Sequence, residues 1–227
     1  MFQRWDDLLF LHWAWDPAEI QASLPAGLTV DTYDGRAWMG IVPFWMNAVR
    51  PRGLPAVPWL SWFLELNLRT YVYDKNGDPG VWFYSLDCNQ PIATVIARRF
   101  FGLNYVHARQ SGQRPPSGDR REFHSQRRST SGESHFRWKP AGDVHSATLD
   151  SLEFFLVERY RLFSYHRNQL FSGRVWHEPY QISSVNIDRA ETALWVDQGR
   201  TAPNRAPDHA MTSTGVTVSI FPLQLLR

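Results

Sequence analysis

Cysteine occurs once, at Cys88, which excludes an intramolecular disulfide and any cysteine-based metal cluster, and cytoplasmic residence is the simplest expectation. Lysine is almost as scarce. Lys75 and Lys139 are the only lysines among 24 basic residues, so few side chains could serve as an amine nucleophile. No apolar run approaches the roughly 20 residues of a spanning helix. The N-terminal run is broken by His12, and Asp6 and Asp7 stand where a secretory leader carries positive charge. The formal charge is only +2, so neither nucleic acid nor a membrane surface is an expected partner. Glycine-rich phosphate loops and a Gly-x-Ser-x-Gly elbow are missing, and no cofactor is expected. None of the eight histidines pair at i, i+2 or i, i+4, so no metal site is expected either.

What is present is aromatic and apolar: 43% hydrophobic residues, 15% aromatic ones and 11 tryptophans in 227 residues. That composition excludes a disordered chain, and one domain spanning residues 1–227 is the expectation. The aromatic surplus is compatible with a homodimer, although no motif specifies one. Leu8 to Trp15 reads as a buried first strand, and Asp16-Pro17-Ala18-Glu19 as a capped helix start. Asp34-Gly35 signals a hairpin between Leu28–Tyr33 and Arg36–Val42, with Pro43 forcing a bend, bulge or edge beyond it. Residues 50 to 60 read as a long proline-rich loop, apolar enough to fold over something. Pro91 to Phe101 reads as a helix capped by Asn89 and closed by Gly102, and Thr148 to Tyr160 as another with Leu149, Leu152, Phe155 and Leu156 on one face. A short helix is expected at Arg189 to Val196. Many strands with interspersed helices give a β-rich α+β class, most simply an antiparallel closed or nearly closed β-barrel.

The chain is organised around Phe63 to Tyr73. With a strand's period of two, Leu64, Leu66, Leu68, Thr70 and Val72 form one face, and Phe63, Glu65, Asn67, Arg69 and Tyr71 the other. A carboxylate, an amide and a guanidinium between aromatics suit the lining of a polar cavity that binds a small organic molecule. Glu65 is the candidate acid or base and Arg69 the candidate anion clamp or stabiliser of developing negative charge. Polar matching of the hairpin partner predicts Arg69 opposite Ser85, Asn67 opposite Asp87 and Glu65 opposite Asn89, so Asn67, Ser85 and Asp87 are expected to orient the ligand. Two bland readings stay open: a solvent-facing ladder in which Glu65 and Arg69 pair across Asn67, and a buried network that binds nothing. The arginines between residues 109 and 139, diluted by Asp119, Glu122 and Glu133, read as solvated strand edges and loops.

Leu9-Phe10-Leu11-His12-Trp13, Leu24-Pro25-Ala26-Gly27-Leu28, Asp34-Gly35-Arg36-Ala37-Trp38, Val42-Pro43-Phe44, Glu65 through Val72, Ser85-Leu86-Asp87 and Glu158-Arg159-Tyr160 together resemble the YqjF-like family of uncharacterised proteins, which groups with the acetoacetate decarboxylase-like fold. The resemblance implies a lumen that holds a small ligand, and no established activity. Better-understood relatives form an imine on one of two adjacent lysines. Their Gly-Arg-Glu, Gly and Pro-Lys-Lys pattern aligns with Ala97-Arg98-Arg99, Gly102 and Asn104-Tyr105-Val106, so both lysines are replaced and Schiff-base decarboxylation is not expected. Glu65 matches the relatives' lumen glutamate. Tyr105, His107, Arg159 and Tyr160 complete the expected ligand-binding set, with a solvated helix end and a lumen-mouth role both open for the last two. An acid–base enzyme, a non-catalytic carrier or sensor, and a structural protein with a filled interior all remain compatible with these residues.

Overall fold

The computed structural model describes residues 1–114 and 120–226. Its elements run β1 (Phe2–Trp15), α1 (Pro17–Ala22), β2 (Leu28–Val30), β3 (Ala37–Arg50), β4 (Phe63–Asp74), β5 (Pro79–Cys88), α2 (Pro91–Phe101), β6 (Tyr105–Gln113), β7 (Arg121–Arg127), β8 (Glu133–Ser146), α3 (Leu152–Val157), β9 (Arg161–His166), β10 (Gln169–His177), β11 (Gln181–Glu191), α4 (Leu194–Asp197) and β12 (His209–Leu225). The twelve strands form one hydrogen-bonded sheet in the order β10-β9-β5-β6-β7-β8-β11-β12-β1-β3-β4-β2, with further pairings β10–β12 and β5–β4.

Those extra pairings close the sheet on itself twice. Strands β12, β1, β3, β4 and β5 are common to both circuits; β9 and β10 complete one, and β6, β7, β8 and β11 the other. The shared strands therefore bury both faces. Leu8 and Phe10 of β1, with Val42, Phe44 and Met46 of β3, join one core, while Leu9, Leu11, Trp13, Met39 and Ile41 join the other. This is why Leu8–Trp13 and Trp38–Met46 read as near-continuous apolar runs rather than alternating ones. The expected all-antiparallel arrangement is corrected at two places, because β5 pairs in parallel with both β6 and β9.

Local chemistry explains most boundaries. Asp16 caps α1 by accepting from the Ala18 amide. Asp74 accepts from the Asn76 and Asp78 amides to close the β4–β5 turn, with Gly77 at φ 81°. Pro43 lies within β3 opposite a register shift in β1, where Asp7 adopts φ 49°, so the bulge sits on the partner strand. Helix α2 is capped by Gln90, whose side-chain Oε1 accepts from the Ile92 amide, and not by Asn89, whose side-chain Oδ1 accepts from the Leu64 amide. Gly102 closes it in the left-handed region.

Three expected elements are corrected. The Asp34-Gly35 turn carries only a Tyr33–Arg36 bridge, because β2 pairs with β4 while both edges of β3 are occupied by β1 and β4. The helix expected over residues 148–160 is one short turn region, α3: Ser151 caps it, and the chain must leave it at Glu158 so that the Glu158 carboxylate can accept from the Tyr180 amide. Strand β11 runs on through Glu191, so the expected helix at 189–196 is confined to α4.

Candidate functional site

The face of β4 that carries Phe63, Glu65, Asn67 and Arg69 looks into a cavity of about 280 Å³ within the β9–β10 circuit. Val81, Phe83 and Leu86 of β5, Tyr105 of β6, Ala93, Ile96 and Ala97 of α2, and Arg159, His177 and Tyr180 supply the other walls that matter here. The loop of residues 50 to 60 folds over it, contributing Arg50, Pro51 and Leu60, and is tied to the α2 cap by Gln90 Nε2 donating to the Trp59 carbonyl. Pro51 and Ile96 line the cavity yet are exposed, which puts them on its rim.

Polar groups gather at two poles. At the first, Glu65 is 2% exposed and its Oε2 accepts from the Tyr105 hydroxyl at 2.7 Å. Burial pushes its carboxyl up to about 7, against the opposing influence of Tyr105 and Asn67. A carboxyl poised there can both give and take a proton near neutrality. The Asn67 side-chain oxygen is buried with no hydrogen-bond partner among the described residues.

At the second pole, Arg69 Nη2 donates to the Tyr71 hydroxyl at 3.3 Å and to the Leu156 carbonyl at 3.1 Å, while its Nε has no partner. No carboxylate lies within ion-pair distance of Arg69 among the described residues. The guanidinium instead rests against the rings of Phe10 and Tyr71, 5.5 and 5.6 Å from their centroids. Tyr71 also meets His12 Nε2 at 2.8 Å, and burial holds the His12 imidazole well below its usual range, helped by Arg69, so the ring is neutral. Gly40 sits between His12 and Arg69 in the strand register, and a Cβ there would fall 3.1 Å from the His12 ring and 3.4 Å from Arg69 Cγ. The missing side chain is what lets these two groups share Tyr71.

The structure brings together Glu65, Asn67, Arg69, Tyr105 and Arg159 on the cavity wall. Arg159 is held by Asp31, 2.6 Å away, and lies 4.2 Å from the Phe155 ring centroid, so its charge is already matched. Tyr160 does not line the cavity; it is half-exposed, donates to Glu158 and stacks on His177. His107 lies on β6 in register with Cys88 and does not reach the cavity.

Ser85 and Asp87 are corrected. Glu65 faces Cys88, Asn67 faces Leu86 and Arg69 faces Phe83, because one extra residue, Tyr84, is accommodated between Leu68↔Ser85 and Arg69↔Phe83. That bulge inverts the parity of β5, so Leu86 and Cys88 follow Val81 and Phe83 on the cavity side and Ser85 and Asp87 point the other way. Asp87 there forms a two-bond pair with Arg127, at 2.7 and 2.8 Å. Arg127 is 6% exposed, and Arg121 pairs with Asp7 at 2.8 Å, so these two depart from the expected solvated edges, whereas Arg109, Arg114, Arg120 and Arg128 are exposed as expected. Asp119, also named in that expectation, lies outside the described residues.

The solvent-facing ladder is likewise excluded by the burial of Glu65 and the lack of a Glu65–Arg69 pair. Cys88 is no nucleophile, since burial pushes its thiol up to about 12. His177 and Tyr180 line the cavity and went unnoticed in the sequence, where nothing marks a His-x-x-Tyr spacing as special. Lys75 sits exposed in the β4–β5 turn and Lys139 on β8, so neither lines the cavity.

A protein of Bacillus subtilis (strain 168) described as "Uncharacterized protein YqjF" is 36% identical over 208 residues, covering 91% of this chain and 85% of its own. Among solved structures, an acetoacetate decarboxylase-like enzyme from Sphingomonas wittichii RW1 superposes with a TM-score of 0.67 at 16% identity, covering 100% of this chain and 92% of its own. The enduracididine biosynthesis enzyme MppR complexed with pyruvate gives a TM-score of 0.70 at 14% identity, with 100% and 90% covered. At such identities these structures establish the fold alone. Residues 2–217 match the DUF2071 family, described as "Uncharacterized conserved protein", and the chain belongs to that family.

Proposed function

We propose that the protein binds a small organic molecule bearing a carboxylate or carbonyl group in the β9–β10 cavity and acts on it by proton transfer through Glu65. The observation that carries this reading is the charge state of the cavity: Arg69 presents a guanidinium with an unpartnered Nε, and with no carboxylate in ion-pair distance among the described residues, to a largely apolar enclosure. Arg69 is half-buried with its Nε shielded from solvent, and a ligand anion would supply the counter-charge and hydrogen-bond partner that the cavity wall does not. Glu65 stands four residues along the same strand, about 13 Å from Arg69 at Cα by strand rise. A ligand anchored at Arg69 thus needs a body of several carbons to bring a reacting centre to Glu65, and the apolar walls between them suit such a body.

Proton abstraction next to a carbonyl fits these parts best. Glu65 takes the proton, Tyr105 steadies the carboxyl through its hydrogen bond, and Arg69 holds the acid group. Imine chemistry of the lysine type has no lysine to start from in this cavity. The pyruvate held by the MppR relative is of the same chemical class, a carboxylate beside a carbonyl, and supports the choice of ligand without deciding it. A filled interior does not fit a void of about 280 Å³. The carrier alternative differs only in lacking the proton step.

Solvent exchange separates the two. Keto acids, hydroxy acids and aldehydes are incubated with the protein in D₂O, and loss of the acidic C–H signal is followed by proton NMR. Wild type should accelerate exchange for the ligand it binds, and Glu65→Gln should abolish exchange while binding survives. Binding without exchange in wild type leaves a carrier and removes the enzyme reading. Arg69→Ala should weaken an anionic ligand by about 10- to 100-fold, the worth of a charge-assisted hydrogen bond.

A further inference from the structure

Histidines that are unpaired in spacing along single elements can still meet through strand pairing. Glu122 and His124 stand two apart on β7 and so share a face, and His135 of β8 lies directly opposite His124 in the register. The two imidazoles stack at 3.8 Å between centroids. His135 Nε2 is 2.7 Å and His124 Nε2 3.3 Å from the same Glu122 oxygen, and one ligand atom from each of the three residues lies within 4.8 Å of the others. This cluster is on the β6-β7-β8-β11 circuit, away from the cavity, and the proposed function makes no use of it.

We propose that Glu122, His124 and His135 form a binding site for a divalent transition-metal ion of the zinc class, which bridges β7 to β8. Metal–nitrogen and metal–oxygen bonds of about 2.0 to 2.2 Å place tetrahedral ligand atoms roughly 3.3 Å apart. The separations of 3.3 and 2.7 Å from Glu122 lie at and below that spacing, so small side-chain rotations that open the His135–Glu122 contact suffice and the paired strands need not move. Imidazole selects zinc, copper or nickel over magnesium and calcium, which favour sets made of oxygen alone. His124 is 47% exposed, so the open position faces solvent and is filled by water.

Arg137 competes for the site. Its Nη2 lies 2.7 Å from the same Glu122 oxygen, but the side chain is 41% exposed and can swing into solvent when a metal takes its place. On the neighbouring strand, Glu191 stands opposite His135 and pairs with Arg189 at 2.6 Å. Its carboxylate adds negative charge beside the site without being one of the three ligands.

The test uses the full chain prepared without a polyhistidine tag and stripped of metal. Zinc chloride is titrated calorimetrically, with magnesium chloride as the control, and cobalt(II) is used for visible absorption. The expected result is one zinc per chain with a dissociation constant near or below about 10 µM, no response to magnesium, and cobalt bands in the visible. His124→Ala and His135→Ala should each weaken binding by at least about tenfold and remove the cobalt bands, as loss of one of three ligands requires. If His135→Ala fails to fold by circular dichroism, His124→Ala and Glu122→Gln carry the same test at more exposed positions. Absence of saturable zinc binding, or binding that survives substitution of His124, overturns the proposal.

Discussion

Glu65 is the residue on which the account turns, and its environment makes a testable statement about stability as well as chemistry. Its carboxyl is pushed up from 4.5 to about 7 in the folded chain, so folding favours the protonated form. The stability this proton confers is fully present below pH 4.5 and is lost as pH rises through 7, a change of about 3 kcal/mol at 1.36 kcal/mol per unit. Gln at this position mimics the protonated carboxyl and still accepts from Tyr105. Glu65→Gln is therefore expected to match wild type in denaturant unfolding near pH 4 and to exceed it by up to about 3 kcal/mol at pH 8; a variant no more stable at pH 8 than at pH 4, relative to wild type, would contradict a buried, proton-favouring carboxyl. The position of Glu65 was legible because a strand's side chains alternate, and a charged and amide series opposite leucines marks two different environments. Ser85 and Asp87 were not legible in the same way. A single bulged residue, Tyr84, reverses which face they occupy, and a bulge leaves no signature in the order of polar and apolar residues.

At the scale of elements, the Asp87–Arg127 pair joins β5 to β7 inside the second circuit, out of reach of the cavity. Removing one partner strands the other charge in the interior, at a cost of about 3 to 5 kcal/mol. Arg127→Ala is accordingly expected to lower unfolding free energy by that amount while leaving the affinity of the remaining folded protein for its cavity ligand unchanged. A loss of ligand affinity without loss of stability would instead place Arg127 in the site. Helix α2 was legible from Pro91 at its start and Gly102 at its end, since each suits one terminus only. Helix α3 was overestimated because Leu149, Leu152, Phe155 and Leu156 keep a helical spacing, yet the chain outside Leu152–Val157 is committed elsewhere: Asp150 takes φ 66°, and Arg159 and Arg161 reach the cavity wall. The Glu122, His124 and His135 cluster escaped notice because its members meet only through the β7–β8 register.

The whole molecule is a sheet that closes twice around shared strands, one circuit packed with Trp45, Phe123, Phe136 and Trp138 and the other left hollow at the level of Glu65 and Arg69. The β-rich class followed from composition and strand count. The double closure did not, because strands buried on both faces lose the alternation from which a sheet's inside and outside are read. A hollow circuit lined by an unmatched guanidinium predicts stabilisation by an anionic ligand through mass action. The direct measurement is a thermal-shift titration of the full chain against keto acids, hydroxy acids, aldehydes and phosphate esters, with Arg69→Ala alongside. A concentration-dependent rise in melting temperature with a carboxylate-bearing carbonyl compound, abolished in Arg69→Ala, is the predicted result. No rise with any member of the panel, or a rise that Arg69→Ala retains in full, would contradict the cavity as the binding site for an organic anion.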